Sequence, residues 1–238
     1  MEAGQSEFGD GRLCLNYGLG LYWNMTRGFR YKRNQLQEAI VAVLKPGSGQ
    51  QSREMLGRVR RLLDADRVRR RNKRASDPEI SNYAFHGGDM PGRGYVNIFT
   101  EYEAFALLMA LQLMGLGLPQ GAVVGLLRRL RPQLERQHSQ ILRQAAADIL
   151  DDERVRLQAK PGDLDFGTDP RFIVIVWEGG RRGSRSIALC RGQRELFELF
   201  HRYGPGHSFT LLELTTWALA LSPALAGTKP RKRGRARE

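Results

Sequence analysis

Apolar and polar positions change their period several times along the chain, and each change marks an element. From Ala104 to Met114 only Gln112 is polar, so this stretch is apolar nearly all round. Thr100 followed by Glu103 is a capping box, in which two side chains take up free N–H groups of a helix's first turn. A helix of this kind is a core helix, and it is too short for the ~20 apolar residues that span a bilayer. Gly115 and Gly117 stop it. Pro119 opens a second helix at a first-turn position, where its missing N–H costs nothing. In that helix Val123, Val124, Leu126, Leu127 and Leu130 make an apolar stripe. Arg128, Arg129 and Arg131 read as its last turn, where positive charge suits the helix dipole. Two short helices cannot bury residues 104–114 between them, so the rest of the chain must cover them.

Upstream, the spacing of Leu36, Ile40, Val41 and Leu44 predicts an amphipathic helix over 33–44, ended by Lys45-Pro46-Gly47. Ser52 is the N-cap expected for a further helix, with Met55, Leu56, Val59, Leu62 and Leu63 turned inward. Between Ile80 and Phe99 the period shortens. Tyr83-Ala84-Phe85 and Tyr95 to Phe99 read as two short strands, joined by a Gly-rich loop from His86 to Gly94, which is the outline of a wing. Beyond Pro132, which either kinks a continuous helix or opens a new one, a helical run to about Leu150 carries Leu134, Ile141, Leu142, Ile149 and Leu150. Nothing in the sequence is assigned to cover that stripe, so it is expected to dimerise. Then Arg171 to Trp177 is a β-prone run that Gly179-Gly180 turns back into a strand at 184–190. A short amphipathic helix follows at 193–203, and the apolar stretch 209–226 reads as one more helix.

Charge changes the picture most. The net charge of the 238 residues is +13 and Arg53 to Arg74 holds much of it: ten basic residues against Glu54, Asp64 and Asp66. The end of the chain, Thr228 to Glu238, is the second basic block; it has too little apolar content to fold alone. Such a balance points to polyanionic partners, nucleic acid first and an anionic membrane surface second. Arginine supplies nearly all of the charge, and its guanidinium fork matches phosphate. Residues 1–24 are Gly-rich and aperiodic, and the break in composition at Met25 suggests that translation starts there. Cys14 and Cys190 make neither a disulfide framework nor a metal spacing, and His86, His138, His201 and His207 are scattered. The sequence holds no Gly-x-x-x-x-Gly-Lys loop and no Gly-x-Ser-x-Gly elbow, so no enzyme activity, cofactor or metal is expected.

Residues 95–103, an apolar helix, the turn Gly115-Leu-Gly-Leu-Pro-Gln and the run Val123-Val-Gly-Leu-Leu-Arg-Arg-Leu together resemble the winged-helix DNA-binding domain of MerR-type transcription regulators, over about residues 83–150. The resemblance implies a wing that leads into the capped helix and a longer helix that dimerises. The helices at 33–44 and 52–64 stand where that family has its helix-turn-helix, without the Thr-Leu-Arg-Tyr-Tyr-Glu-like stretch.

The expected architecture is therefore α+β and mainly helical. A winged helix-turn-helix region (25–132) follows the irregular extension (1–24). A helical dimerisation segment (133–164), a small β-hairpin-plus-helix region (165–227) and a disordered basic tail (228–238) complete it. The expected function is that of a sequence-specific DNA-binding transcriptional regulator of a bacterial type, cytoplasmic and nucleoid-associated, a homodimer on double-stranded DNA with no membrane partner. Phosphate contacts and base-edge readout fall to Arg53, Arg58, Arg61, Arg67, Arg69, Arg70, Arg71, Lys73 and Arg74, with Arg93 and Tyr95 in the wing. The other reading is a protein–protein adaptor with loose, charge-driven nucleic-acid association.

Overall fold

The computed structural model describes residues 30–44, 49–88, 98–144, 170–178 and 185–230. The expectations placed on the N-terminal extension, on Arg93 and Tyr95, on Ile149 and Leu150 and on the basic tail past Pro230 lie outside them.

In chain order the elements are β1 (Tyr31–Lys32), α1 (Arg33–Leu44), α2 (Gly49–Val68), α3 (Pro78–Ser81), β2 (Ile98–Phe99), α4 (Glu101–Gly115) and α5 (Gln120–Arg143). Then follow β3 (Arg171–Glu178), β4 (Arg185–Arg191), α6 (Gly192–Tyr203), β5 (His207–Glu213) and α7 (Thr215–Gly227). The described protein is mainly helical, with two small antiparallel sheets, an α+β architecture.

Helix α4 is the centre. Both halves of its capping box form: Thr100 Oγ1 accepts from the Glu103 amide and the Glu103 carboxylate accepts from the Thr100 amide. Every residue from Tyr102 to Leu111 is buried, and α1, α2, α5 and α7 all pack against it. It ends in a Schellman turn, where Leu118 N–H bonds the Leu113 carbonyl and Gly117 N–H bonds that of Met114. Of the two glycines expected to stop it, only Gly117 sits at positive φ (91°); Gly115 is still helical. Pro119 is the N-cap of α5, and the whole predicted stripe from Val123 to Leu130 is buried.

Several expectations give way. Ser52 is not an N-cap, because α2 already begins at Gly49 and runs on to Val68. Helix α5 continues through Pro132 to Arg143, so Arg128, Arg129 and Arg131 are mid-helix residues. Proline at 132 leaves the Arg128 carbonyl without its usual N–H donor, and Asn82 Nδ2 approaches that oxygen at 3.5 Å. Of the stripe expected to dimerise, Leu134 and Ile141 are fully buried in the main core, to which α7 contributes Leu221 and Leu225, while Leu142 is partly exposed. Tyr83–Phe85 is not a strand, and β2 pairs instead with β1, Tyr31 opposite Phe99.

The hairpin of β3 and β4 forms as expected, with Phe172 opposite Cys190. The stretch 209–226 is two elements rather than one helix. Residues 207–213 pair with the other edge of β3, and Glu213 then accepts from the Thr215 and Thr216 amides at the start of α7. The run Phe-Thr-Leu-Leu fits either period, and a free edge beside Ile173 and Ile175 decides it. Strand β3 is apolar on both faces because both are covered. Ile173 and Ile175 join the main core, while Val174 and Val176 pack under α6 with Leu196 and Leu199. Gln35 links the two ends of the fold, receiving the Lys32 amide and donating to the Thr228 carbonyl at the end of α7.

Candidate nucleic-acid interface

Helix α2 has two unlike sides. Val59, Leu62, Leu63 and Asp66 are buried. Beside this face Arg53, Arg60 and Arg67 are exposed, spaced seven apart, about two turns, so that they line up along one flank, with exposed Arg61 farther round on the outer side. Arg58 lies on the other flank, also exposed. From Arg53 to Arg67 this side extends about 21 Å at 1.5 Å per residue. The acids among these residues do little to offset them. Asp64 stands 3.9 Å from Arg60 with both side chains mostly in water, a pair worth little. Sequence reasoning passed over Arg60, although the 53–60–67 spacing was its signal.

Asp66 is missing from the surface because it is engaged below it. Its carboxylate accepts from the Ala84 and Phe85 amides, each at 3.1 Å, and from Arg128 Nε at 2.6 Å. The rest of the Arg128 guanidinium donates to the Asp66, Arg69 and Glu79 carbonyls and lies over the Tyr83 ring. One turn on, Arg131 donates to the carbonyls of Tyr83, Ala84 and His86. It also pairs with Glu103 at 3.5 Å, and Glu103 in turn receives the Gly87 amide. This explains why residues 83–85 form no strand. Their N–H and C=O groups, which a strand would offer to a neighbour, are taken by two buried ion pairs. His86 is buried and stacked 5.3 Å from Phe99, which holds residue 86 beside β2. Burial holds its imidazole below the usual pKa, against the weaker upward pull of Glu103 and Asp66.

The basic loop after α2 is thus suspended from α5. Arg69, Arg70, Lys73 and Arg74 are exposed, and Arg71 is half-buried with its guanidinium over the Tyr83 ring. Glu79 of α3 reaches back to this loop, 3.4 Å from Arg69 and 2.8 Å from Arg129 of α5. Gln120 Nε2 donates to the Arg61 carbonyl, so the start of α5 abuts the arginine side of α2. Arg53, Arg61, Arg67, Arg69, Arg70, Lys73 and Arg74 thus make an exposed basic tract on the outer side of α2 and in the loop after it, with Arg71 half-buried there, whereas Arg58 lies on the other flank of α2 beside Leu44 and Leu111. Arg93 and Tyr95 fall in the segment between Gly88 and Ile98, outside the described residues. Arg129 was taken for a helix-end charge, and the structure brings it to the same tract.

No protein-family model matches this chain, and no curated protein matches it either. Among the described residues, no helix is long and apolar enough to cross a membrane, and no group of three or more His, Cys, Asp or Glu residues is placed to hold a metal ion.

Proposed function

We propose that this protein is a DNA-binding transcriptional regulator that meets duplex DNA with the arginine side of α2 and the loop 69–74. In this reading α2 enters the major groove, which is wide enough to admit a helix, and the loop contacts the flanking backbone. One observation carries the reading: Asp66 is neutralised internally by Arg128, so of the three acids within 53–74 only Glu54 and Asp64 lie at the surface, beside nine exposed basic residues. A tract so charged and so rigidly backed suits phosphate, and guanidinium groups on a helix also suit guanine edges.

The test is a salt titration of binding to one selected and one random duplex. Replacing Arg60, Arg61 and Arg67 together by Ala should flatten the slope of log affinity against log salt by roughly 2 to 3 units if all three meet phosphate. A specific band that survives excess random competitor supports a regulator. An unchanged slope in the triple variant, or loss of every band under competitor, removes the reading and leaves the adaptor.

A further inference from the structure

We propose that Arg69 and Arg129 form a phosphate-binding subsite which the protein's own Glu79 occupies until a nucleic-acid strand displaces it. The inference rests on the DNA-binding reading and extends it to a site on α5 that the reading does not need. The two guanidinium groups come from different elements, the loop after α2 and the middle of α5, and converge on one carboxylate. Two guanidinium groups closing on an oxyanion is the geometry of phosphate recognition, and here a carboxylate stands in for the phosphate. All three side chains remain partly open to water, 45% for Arg69, 57% for Arg129 and 29% for Glu79, so the anion can be exchanged.

The floor of the site is made for that carboxylate. A Cβ at Gly125 would clash with Glu79 Oε1 and lie 3.1 Å from the Arg69 guanidinium. One at Gly121 would lie 3.4 Å from the same guanidinium. Glycine is a poor residue for a helix interior compared with alanine. Gly125 therefore keeps open the space in which Glu79 lies. A cavity of about 140 Å³ opens here, its lining including Arg69, Glu79, Gly121, Gly125, Arg129 and Ile187. Gln120, next to the lining residue Gly121, donates to the Arg61 carbonyl, so the cavity lies close to the arginine side of α2.

While Glu79 holds both arginines, neither is fully available to a strand, and release adds two cations to the interface. Four variants test this on a random duplex by fluorescence anisotropy across a salt series. Glu79→Gln should bind more tightly and steepen the log–log salt slope by about one to two units, at about 0.9 per phosphate gained. Gly125→Ala should move the slope in the same direction with no change in net charge, because its methyl group expels the carboxylate. Only the flexible ends of Glu79 and Arg69 stand in its way, so the helix is expected to persist. Asp64→Asn removes the same charge from the exposed Arg60 pair and should leave the slope where it was. Arg129→Ala added to Glu79→Gln should take back about 0.9 of the gain. The subsite is overturned if Glu79→Gln keeps the wild-type slope, or if Asp64→Asn steepens it equally. Wild-type protein that binds steeply while Glu79→Gln matches it sinks the subsite alone. If neither protein binds duplex at low salt, the DNA-binding reading falls with it.

Discussion

Two sets of arginines in this protein do opposite things. Arg128 and Arg131 sit in the middle of α5, almost wholly out of water, each with an acid partner and several carbonyls to donate to. Those on the outer side of α2 face water, and among the described residues Arg60 has a long, exposed contact with Asp64. The residue type is the same and the local sequence equally basic, yet one set organises the chain and the other is left available. A guanidinium has five donors in a rigid fork. Buried, it can collect the carbonyls of a segment that has no strand or helix of its own; exposed, it offers that fork to a partner.

The sharpest way to break the contrast is at Arg128. Arg128→Met leaves Asp66 as an uncompensated buried charge and frees the carbonyls at the end of α2. Removing one partner of such a pair costs about 3–5 kcal/mol, a large part of a domain's stability, and chemical denaturation will register it. Adding Asp66→Asn should recover only part of the loss, because Ala84 and Phe85 still need acceptors for their amides. A full recovery would mean that Asp66 matters only as the partner of Arg128.

His138 shows the other outcome of burial, a titratable group with no ion-pair partner. It packs 4.6 Å from the Phe105 ring, its Nε2 has no hydrogen-bond partner among the described residues, and burial pushes its pKa from 6.5 to about 4. The unfolded chain takes up this proton as pH falls through 6.5, whereas the folded chain resists until about 4. The stability contribution is therefore complete above about 6.5 and is lost progressively as pH falls toward 4, by about 3 kcal/mol in all. His138→Phe should flatten the stability–pH curve by that amount between these limits. If the variant keeps the wild-type acid limb, His138 is not the group responsible.

The smallest effect on stability is expected at the exposed set. Arg60→Ala and Arg61→Ala should each shift the unfolding free energy by no more than about 0.5 kcal/mol, since neither side chain is buried. The same changes should alter the salt dependence of DNA binding. A large stability loss at either position would blur the division between the two sets.

Much of this was readable in the order of residues, for local reasons. The capping box at Thr100, the stop at Gly117, Leu36 and Ile40 on the buried face of α1 and the hairpin of β3 and β4 depend on neighbours within a few positions, and they stand where the pattern puts them. The apolar run 104–114 by itself required a surrounding shell, and four helices supply it. What the pattern could not show is which distant groups meet. Residues 83–85 have the composition of a strand, but Asp66 and Arg131, some twenty to fifty positions away, satisfy their backbone first. Leu134 and Ile141 seemed to lack a cover, because the helix that covers them begins beyond residue 214 and was merged in the sequence with a strand. Charge was legible as a total and not as a location. Composition alone determined that 53–74 is basic; only tertiary structure decided that Asp66 and Arg128 cancel inside while Arg53, Arg60, Arg61 and Arg67 remain outside, because burial tolerates a charge only where an opposite one meets it.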